Sequence, residues 1–194
     1  MASPGMGTEA VRLGEARPAQ LAGDGDAALA IRARAGDGEA FEQLYLRHRD
    51  QVYTLCLNLC ADREQAQDLL QETFVRAYRG LRTFRGGAQF ATWLYRVAVN
   101  VSRDAARKQR VRERPLPVAA PEAGGGDMVH QVRDALSRLR ADHRTVLALR
   151  YTRSLSYQEI ADLLGWSLPK VKVTIHRAKQ AFKAAYLGVG EEAG

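Results

Sequence analysis

The chain has 194 residues, 46% of them hydrophobic, and a formal charge of +7 from 29 Lys+Arg against 22 Asp+Glu. That is enough apolar material for one or two small cores, and the basic excess points to a polyanionic partner. Two cysteines, Cys56 and Cys60, exclude a disulfide framework and make a reducing cytoplasm the expected compartment. Residues 1–20 hold no apolar run, and the longest apolar stretch, Trp93 to Val101, is broken by Arg96 and Asn100. A signal peptide and membrane insertion are therefore excluded, since a bilayer span needs about 20 apolar residues.

In chain order, residues 1–26 are rich in Gly, Ala and isolated charges without a sustained period, and are expected to form a disordered tail. Asp37 reads as an N-cap, followed by Phe41, Leu44, Val52, Leu55 and Leu59 on one face of a long helix or of two short ones. A second helix starts at Asp62 with Ala66, Leu69, Leu70, Ala77 and Leu81 inward. The run Phe84-Arg85-Gly86-Gly87 interrupts the pattern, and a third helix from about Phe90 to Lys108 buries Leu94, Val97, Ala98, Val101 and Ala105.

Residues 115–127 then bring three prolines and three consecutive glycines, which no helix or strand interior tolerates. They make 113–127 a flexible linker whose extended reach, roughly 45 Å, leaves the flanking domains free not to touch. Helices follow at Val129 to Leu139, Arg144 to Tyr151, Tyr157 to Leu164 and Pro169 to Tyr186, with 188–194 a short tail. No period-two alternation occurs, so the expected fold is all-α, with two small helical domains at 27–112 and 128–187.

Ser156-Tyr-Gln-Glu159 has the form of a capping box, Gly165-Trp166 supplies a turn, and Pro169 sits in the first turn of the next helix. This is a helix-turn-helix pattern. In its second helix Val171, Ile175, Ala178, Phe182 and Ala185 form the buried stripe, leaving Lys172, Val173, His176, Arg177 and Gln180 outward. Between Leu168 and Lys183 there are five basic residues, Lys170 among them, and no acidic one. Such a helix suits a DNA major groove, cations meeting phosphates and other side chains meeting base edges, and Val173 suits a thymine methyl. An ordinary basic surface helix is the plainer alternative.

The Asp62 to Gly80 helix projects Glu64, Asp68, Gln71 and Glu72 opposite its leucines, which reads either as a solvated face or as a docking surface for a basic protein. The next helix turns Thr92, Arg96, Asn100, Arg103 and Arg107 outward beside Tyr78, Phe84, Phe90, Trp93 and Tyr95. Cations, aromatic rings and an Asn near a Gly-rich turn suit single-stranded or locally opened nucleic acid. The alternative is that most of these rings are core, which is the favoured reading for Phe90 and Tyr95.

The run Asp68 to Arg79, with Phe84-Arg-Gly86 and Phe90 to Asn100, resembles region 2 of bacterial sigma factors of the extracytoplasmic-function (ECF) group of the sigma-70 family. Leu155 to Ala161, Val171-Lys172 and His176-Arg-Ala178 resemble region 4. The resemblance covers about Asp37 to Tyr186 in the family's order and implies a transcription initiation factor that binds core RNA polymerase and promoter DNA. It implies that Asp68, Gln71 and Glu72 dock on the β′ coiled coil, with the β subunit also contacted. Gly80, Phe84, Trp93, Val97 and Asn100 would capture a flipped base of the minus-10 element, and Arg103 and Arg107 its phosphates. Ser156, Tyr157, Lys170, Lys172, Val173, His176 and Arg177 would meet the minus-35 element, and an anti-sigma factor is an expected partner. Val173 and Thr174 replace the serine and arginine common after the Lys172 position, so the minus-35 sequence does not transfer by analogy.

No cofactor, metal or catalytic role is expected. The four histidines (His48, His130, His143, His176) are scattered, and Cys56 and Cys60 give an incomplete zinc site better read as core. A dimeric helix-turn-helix repressor is the alternative function. It accounts for the C-terminal domain and leaves the acidic helix and the Asn100 segment without purpose.

Overall fold

The computed structural model describes residues 23–84, 89–112 and 128–191, and among these every regular element is a helix. The expected linker 113–127 and most of the expected N-terminal tail lie outside them, as do residues 85–88 of the Gly-rich turn.

The first helix, α1 (Gly23–Arg34), begins inside the segment expected to be a tail. Leu29, Ala30 and Ala33 are buried and Asp26 is only 3% exposed, because its carboxylate meets His48 Nε2 at 2.6 Å and Arg47 Nη1 at 3.0 Å. A short apolar face with a paired carboxylate escaped the reading of the Gly-Ala composition.

Asp37 accepts a hydrogen bond from the Ala40 amide and opens α2 (Gly38–Cys60), which is one continuous helix. It ends at Ala61, whose φ of 62° lets its N–H reach the Leu57 carbonyl. Asp62, expected as the start of this helix, caps α3 (Arg63–Gly80) through the Gln65 amide. A 3₁₀ turn (Leu81–Thr83) leads towards α4 (Phe90–Arg112). Leu44, Val52, Leu55, Ala66, Leu69, Phe74, Leu94 and Ala98 fill the core between α2, α3 and α4. Each large aliphatic side chain there contributes about 1.5–3 kcal/mol.

The C-terminal unit consists of α5 (Met128–Ser137), α6 (Ala141–Leu147), a π turn (Ala148–Thr152), α7 (Tyr157–Leu164) and α8 (Leu168–Glu191). Its core is Val146, Leu149, Ile160, Val171, Ile175 and Ala178. Helix α8 continues to Glu191, into the stretch expected to be a tail.

The two units pack on each other. Helices α2 and α4 meet α6, the π turn and α7. Asn58 Nδ2 donates to Thr152 Oγ1 at 3.0 Å, Arg96 Nη2 to the Asp162 carbonyl at 2.9 Å and Arg144 Nε to the Leu59 carbonyl at 3.1 Å. A linker long enough to leave the domains apart does not by itself keep them apart, and these polar pairings hold them together.

Candidate polymerase and nucleic-acid interfaces

Helix α3 presents Glu64, Asp68, Gln71 and Glu72 to solvent, opposite Leu69, Thr73, Phe74 and Ala77. Val75 and Tyr78 extend this outer face with exposed apolar surface. Tyr78 does not join the aromatic group beside α4; it lies edge-on to Phe41, with centroids 4.9 Å apart. Glu72 is held by Arg76 at 2.7 Å, and Arg76 also donates to Asp104 of α4 at 2.7 Å, which in turn binds Arg107 at 3.0 Å. The Arg76 hydrogen bond holds the Asp104 carboxyl below the usual carboxylate range. The i,i+4 and i,i+3 steps of this chain are visible in the sequence; the crossing from α3 to α4 is not.

On α4, Trp93, Val97 and Asn100 follow one stripe, half-buried at its start and exposed at Asn100. Arg96, Asn100, Arg103 and Arg107 follow the neighbouring one. Gly80, at the end of α3, faces the Trp93 indole, and a Cβ there would stand 3.5 Å from Trp93 Cζ2. Phe84 is buried, its ring 5.6 Å from Phe90 and 5.5 Å from Trp93. It therefore supports Trp93 from beneath while the indole keeps an accessible edge. Phe90 and Tyr95 are core, Tyr95 donating to Gln51 Oε1 at 2.6 Å.

In the C-terminal unit the capping box is complete, with the Ser156 hydroxyl accepting from the Glu159 amide and the Glu159 carboxylate from the Ser156 amide. Gly165 ends α7 with φ +66°, a conformation costly for residues with a Cβ, and the Trp166 amide reaches back to the Ala161 carbonyl. Helix α8 buries Val171, Ile175 and Ala178, so Lys170, Lys172, Val173, His176 and Arg177 stand on the open side. Val173 is 48% exposed. Tyr157 is half-buried under the Arg150 guanidinium, 5.2 Å from the ring centroid, and Ser156 beside it is exposed.

A cleft of about 670 Å³ separates the units, with Cys60, Asp62, Glu64, Asp68 and Ser102 on one side and Arg144 on the other. Burial raises both thiols, Cys56 to about 12, and no group of three or more potential metal ligands occurs among the described residues. His48 is engaged by Asp26 and does not complete a site with the cysteines.

The family model for Sigma-70 region 2 matches residues 44–112, and that for Sigma-70, region 4 matches residues 130–182. RNA polymerase sigma-H factor of Pseudomonas aeruginosa is 33% identical over 181 residues, covering 82% of this chain and 93% of that protein. The ECF RNA polymerase sigma-E factor of Haemophilus influenzae is 31% identical over 174 residues, with 80% and 92% covered. The chain is an ECF sigma factor of the sigma-70 family. The solved structure of CnrH in complex with the cytosolic domain of CnrY matches this sigma factor with a TM-score of 0.63 at 29% identity, covering 83% of this chain and 96% of that one. The sigma factor RpoE of Bartonella quintana, solved with the anti-sigma factor NepR, shares the fold with a TM-score of 0.63 at 22% identity, covering 75% and 95%.

As a sigma factor, the protein binds core RNA polymerase and directs it to promoters by minus-35 recognition and minus-10 melting, and the repressor reading is not favoured. Among the described residues no helix is long and apolar enough to cross a membrane.

Proposed function

We propose a residue-level division of this activity. The 27–112 unit, extended by α1, docks on polymerase through Asp68, Gln71 and Glu72. It takes the minus-10 element with Gly80, Phe84, Trp93, Val97, Asn100, Arg103 and Arg107. The 128–187 unit reads the minus-35 duplex with Ser156, Tyr157, Lys170, Lys172, Val173, His176 and Arg177, and residues 113–127 are the linker. The observation that carries the division is charge segregation. The exposed face of α3 is acidic in a protein of net charge +7, whereas α8 between Leu168 and Lys183 is purely basic.

The chemistry follows from these surfaces. A carboxylate strip on a basic protein is repelled by DNA and attracted to a basic helical partner, so α3 selects the polymerase. Helix α8 lays its cations along phosphates while Val173 and His176 reach base edges. Extruding a base costs a few kcal/mol, and stacking on an aromatic platform returns about 1–3 kcal/mol per base. Trp93 supplies that platform, with Phe84 beneath it and Asn100 able to hydrogen-bond a base edge; Arg103 and Arg107 hold the adjoining phosphates. Opening is thus driven by binding energy, and the polymerase performs the catalysis. The working compartment is the cytoplasm. An anti-sigma factor is a fitting partner, since the matched sigma factors were solved with such proteins or with a partner's cytosolic domain.

The test is a pull-down of bacterial core RNA polymerase by the wild-type chain and by an Asp68→Arg, Glu72→Arg variant, with transcription from a library of promoter fragments. Wild-type binding and initiation, both lost in a variant with an unchanged circular dichroism spectrum, are the expected result. Retained polymerase binding by the variant would remove α3 from the docking surface.

A further inference from the structure

Helix α1 lies ahead of residues 44–112, the segment that matches region 2. It packs on α2, on the 3₁₀ turn that leads to Phe84, and on α4, which begins at Phe90. Its buried apolar side chains among the described residues are Leu29, Ala30 and Ala33, a face too small to fix the helix in one place. The directional contact is polar. The buried Asp26 carboxylate accepts from His48 Nε2 at 2.6 Å and from Arg47 Nη1 at 3.0 Å. Gly25 makes room for this: a Cβ there would stand 2.8 Å from Arg47 Nη1, the atom that binds Asp26.

His48 carries the contact inward. A carboxylate acting as acceptor puts the proton of the short bond on Nε2. The other ring nitrogen, Nδ1, is buried and has no hydrogen-bond partner among the described residues. The polar tie of the imidazole is therefore to α1, and its orientation depends on Asp26. The same ring stands 5.4 Å from Phe90, and Phe90 stands 5.5 Å from Trp93. Phe84 closes the group, 5.6 Å from Phe90 and 5.5 Å from Trp93. Rings at these separations are in packing contact, and a close-packed interior passes a displacement on to its neighbours. An apolar pair of similar volume would fill the site without the desolvation that Asp26 and His48 suffer, so stability alone does not call for them. What the polar pair adds is a single direction for the imidazole.

We infer that Asp26 and His48 are positioning residues for promoter opening. The buried pair orients the imidazole that seats Phe90, and Phe90 with Phe84 sets the Trp93 indole where an extruded base stacks. The inference rests on the assignment of Trp93 to the minus-10 element.

Trp93 reports on its own seat once Trp166, the chain's other tryptophan, is changed to Phe. In that Trp166→Phe background, the emission maximum and acrylamide quenching of Trp93 are compared for three variants. Asp26→Ala removes the tie, Asp26→Asn keeps a side-chain oxygen that accepts from Nε2, and His48→Gln keeps a donor for Asp26 but takes the ring from Phe90. With Trp166 retained, the same variants are assayed by core polymerase pull-down. Their holoenzymes are assayed by permanganate reactivity of thymines on a promoter fragment recovered with the wild type. Asp26→Ala and His48→Gln are expected to shift Trp93 emission and to lower opening about fivefold or more, the equivalent of one base stack. Polymerase retention should be unchanged, a split that general destabilisation does not produce, and Asp26→Asn should restore both readings. If Asp26→Ala loses its helical spectrum, His48→Gln decides. Unmoved emission and opening in a folded His48→Gln, or an Asp26→Asn as defective as a folded Asp26→Ala, overturns the inference. Trp93→Ala, assayed beside them, tests the platform: wild-type opening there overturns the assignment itself. Lost opening there, with the Asp26 and His48 variants unaffected, overturns the positioning role alone.

Discussion

Cys56 shows what one position reveals about the interior. It is fully buried within α2, and burial is the largest cause of a thiol pKa pushed up to about 12. At pH 8 roughly one thiol in ten thousand would then be ionised, and only the thiolate is a nucleophile. Cys60 is half-exposed, raised by the same cause, and gives its Sγ–H to the Asp62 carbonyl at 3.2 Å. Iodoacetamide at pH 8 is therefore expected to label Cys60 slowly and Cys56 only after unfolding, as peptide mass mapping would read. Labelling of native Cys56 at the rate of an exposed thiol would contradict its packing. The sign of the pH effect follows from the folded pKa being raised. The buried thiol's contribution to stability is whole below about 8.5–9 and is lost as pH rises towards 12.

At the scale of the element, the signals that were legible were those written within one helix. Asp37 as a cap, the helix start at Asp62, the Ser156–Glu159 box, the turn at Gly165-Trp166 and the Val171, Ile175, Ala178 stripe all depend on neighbours a few residues away. What could not be read depends on contacts between distant segments. These include Asp26 with His48, the Arg76–Asp104 crossing and the carbonyls gathered by Arg144. The candidate site divides in the same way: the open side of α8 follows from its own period, whereas the burial of Phe84 beneath Trp93 follows from packing. The capping box offers the element's test. Ser156→Ala strands the Glu159 amide and should cost about 1 kcal/mol of stability, measured by urea unfolding. Because α7 carries the turn that sets α8, minus-35 duplex binding by the variant should weaken in parallel. Full stability in that variant would show that the bond from the Glu159 amide to the Ser156 hydroxyl contributes nothing.

At the scale of the whole molecule, the contact between the two units decides whether they behave as one cooperative body. Among the described residues the contact includes hydrogen bonds from Asn58, Arg96 and Arg144 and cation–π pairs of Arg103 on Trp166 and Arg153 on Tyr95. At about 0.5–1 kcal/mol each for such partly exposed interactions, these contacts couple the units by a few kcal/mol. The same coupling predicts how the chain unfolds. With the halves joined by a few kcal/mol, loss of one removes support from the other, so wild-type urea unfolding should be a single transition at both near- and far-ultraviolet wavelengths. In Thr152→Phe, which wedges α2 from the π turn, the halves are uncoupled and should melt separately. The less stable half is expected to be the C-terminal unit, whose core rests on short α6 and α7. Two transitions in the wild type, with the same midpoints as in the variant, would mean that the interface contributes little to holding the halves together. A merged transition in the wild type that splits in the variant would give the coupling energy directly from the shift of the weaker midpoint.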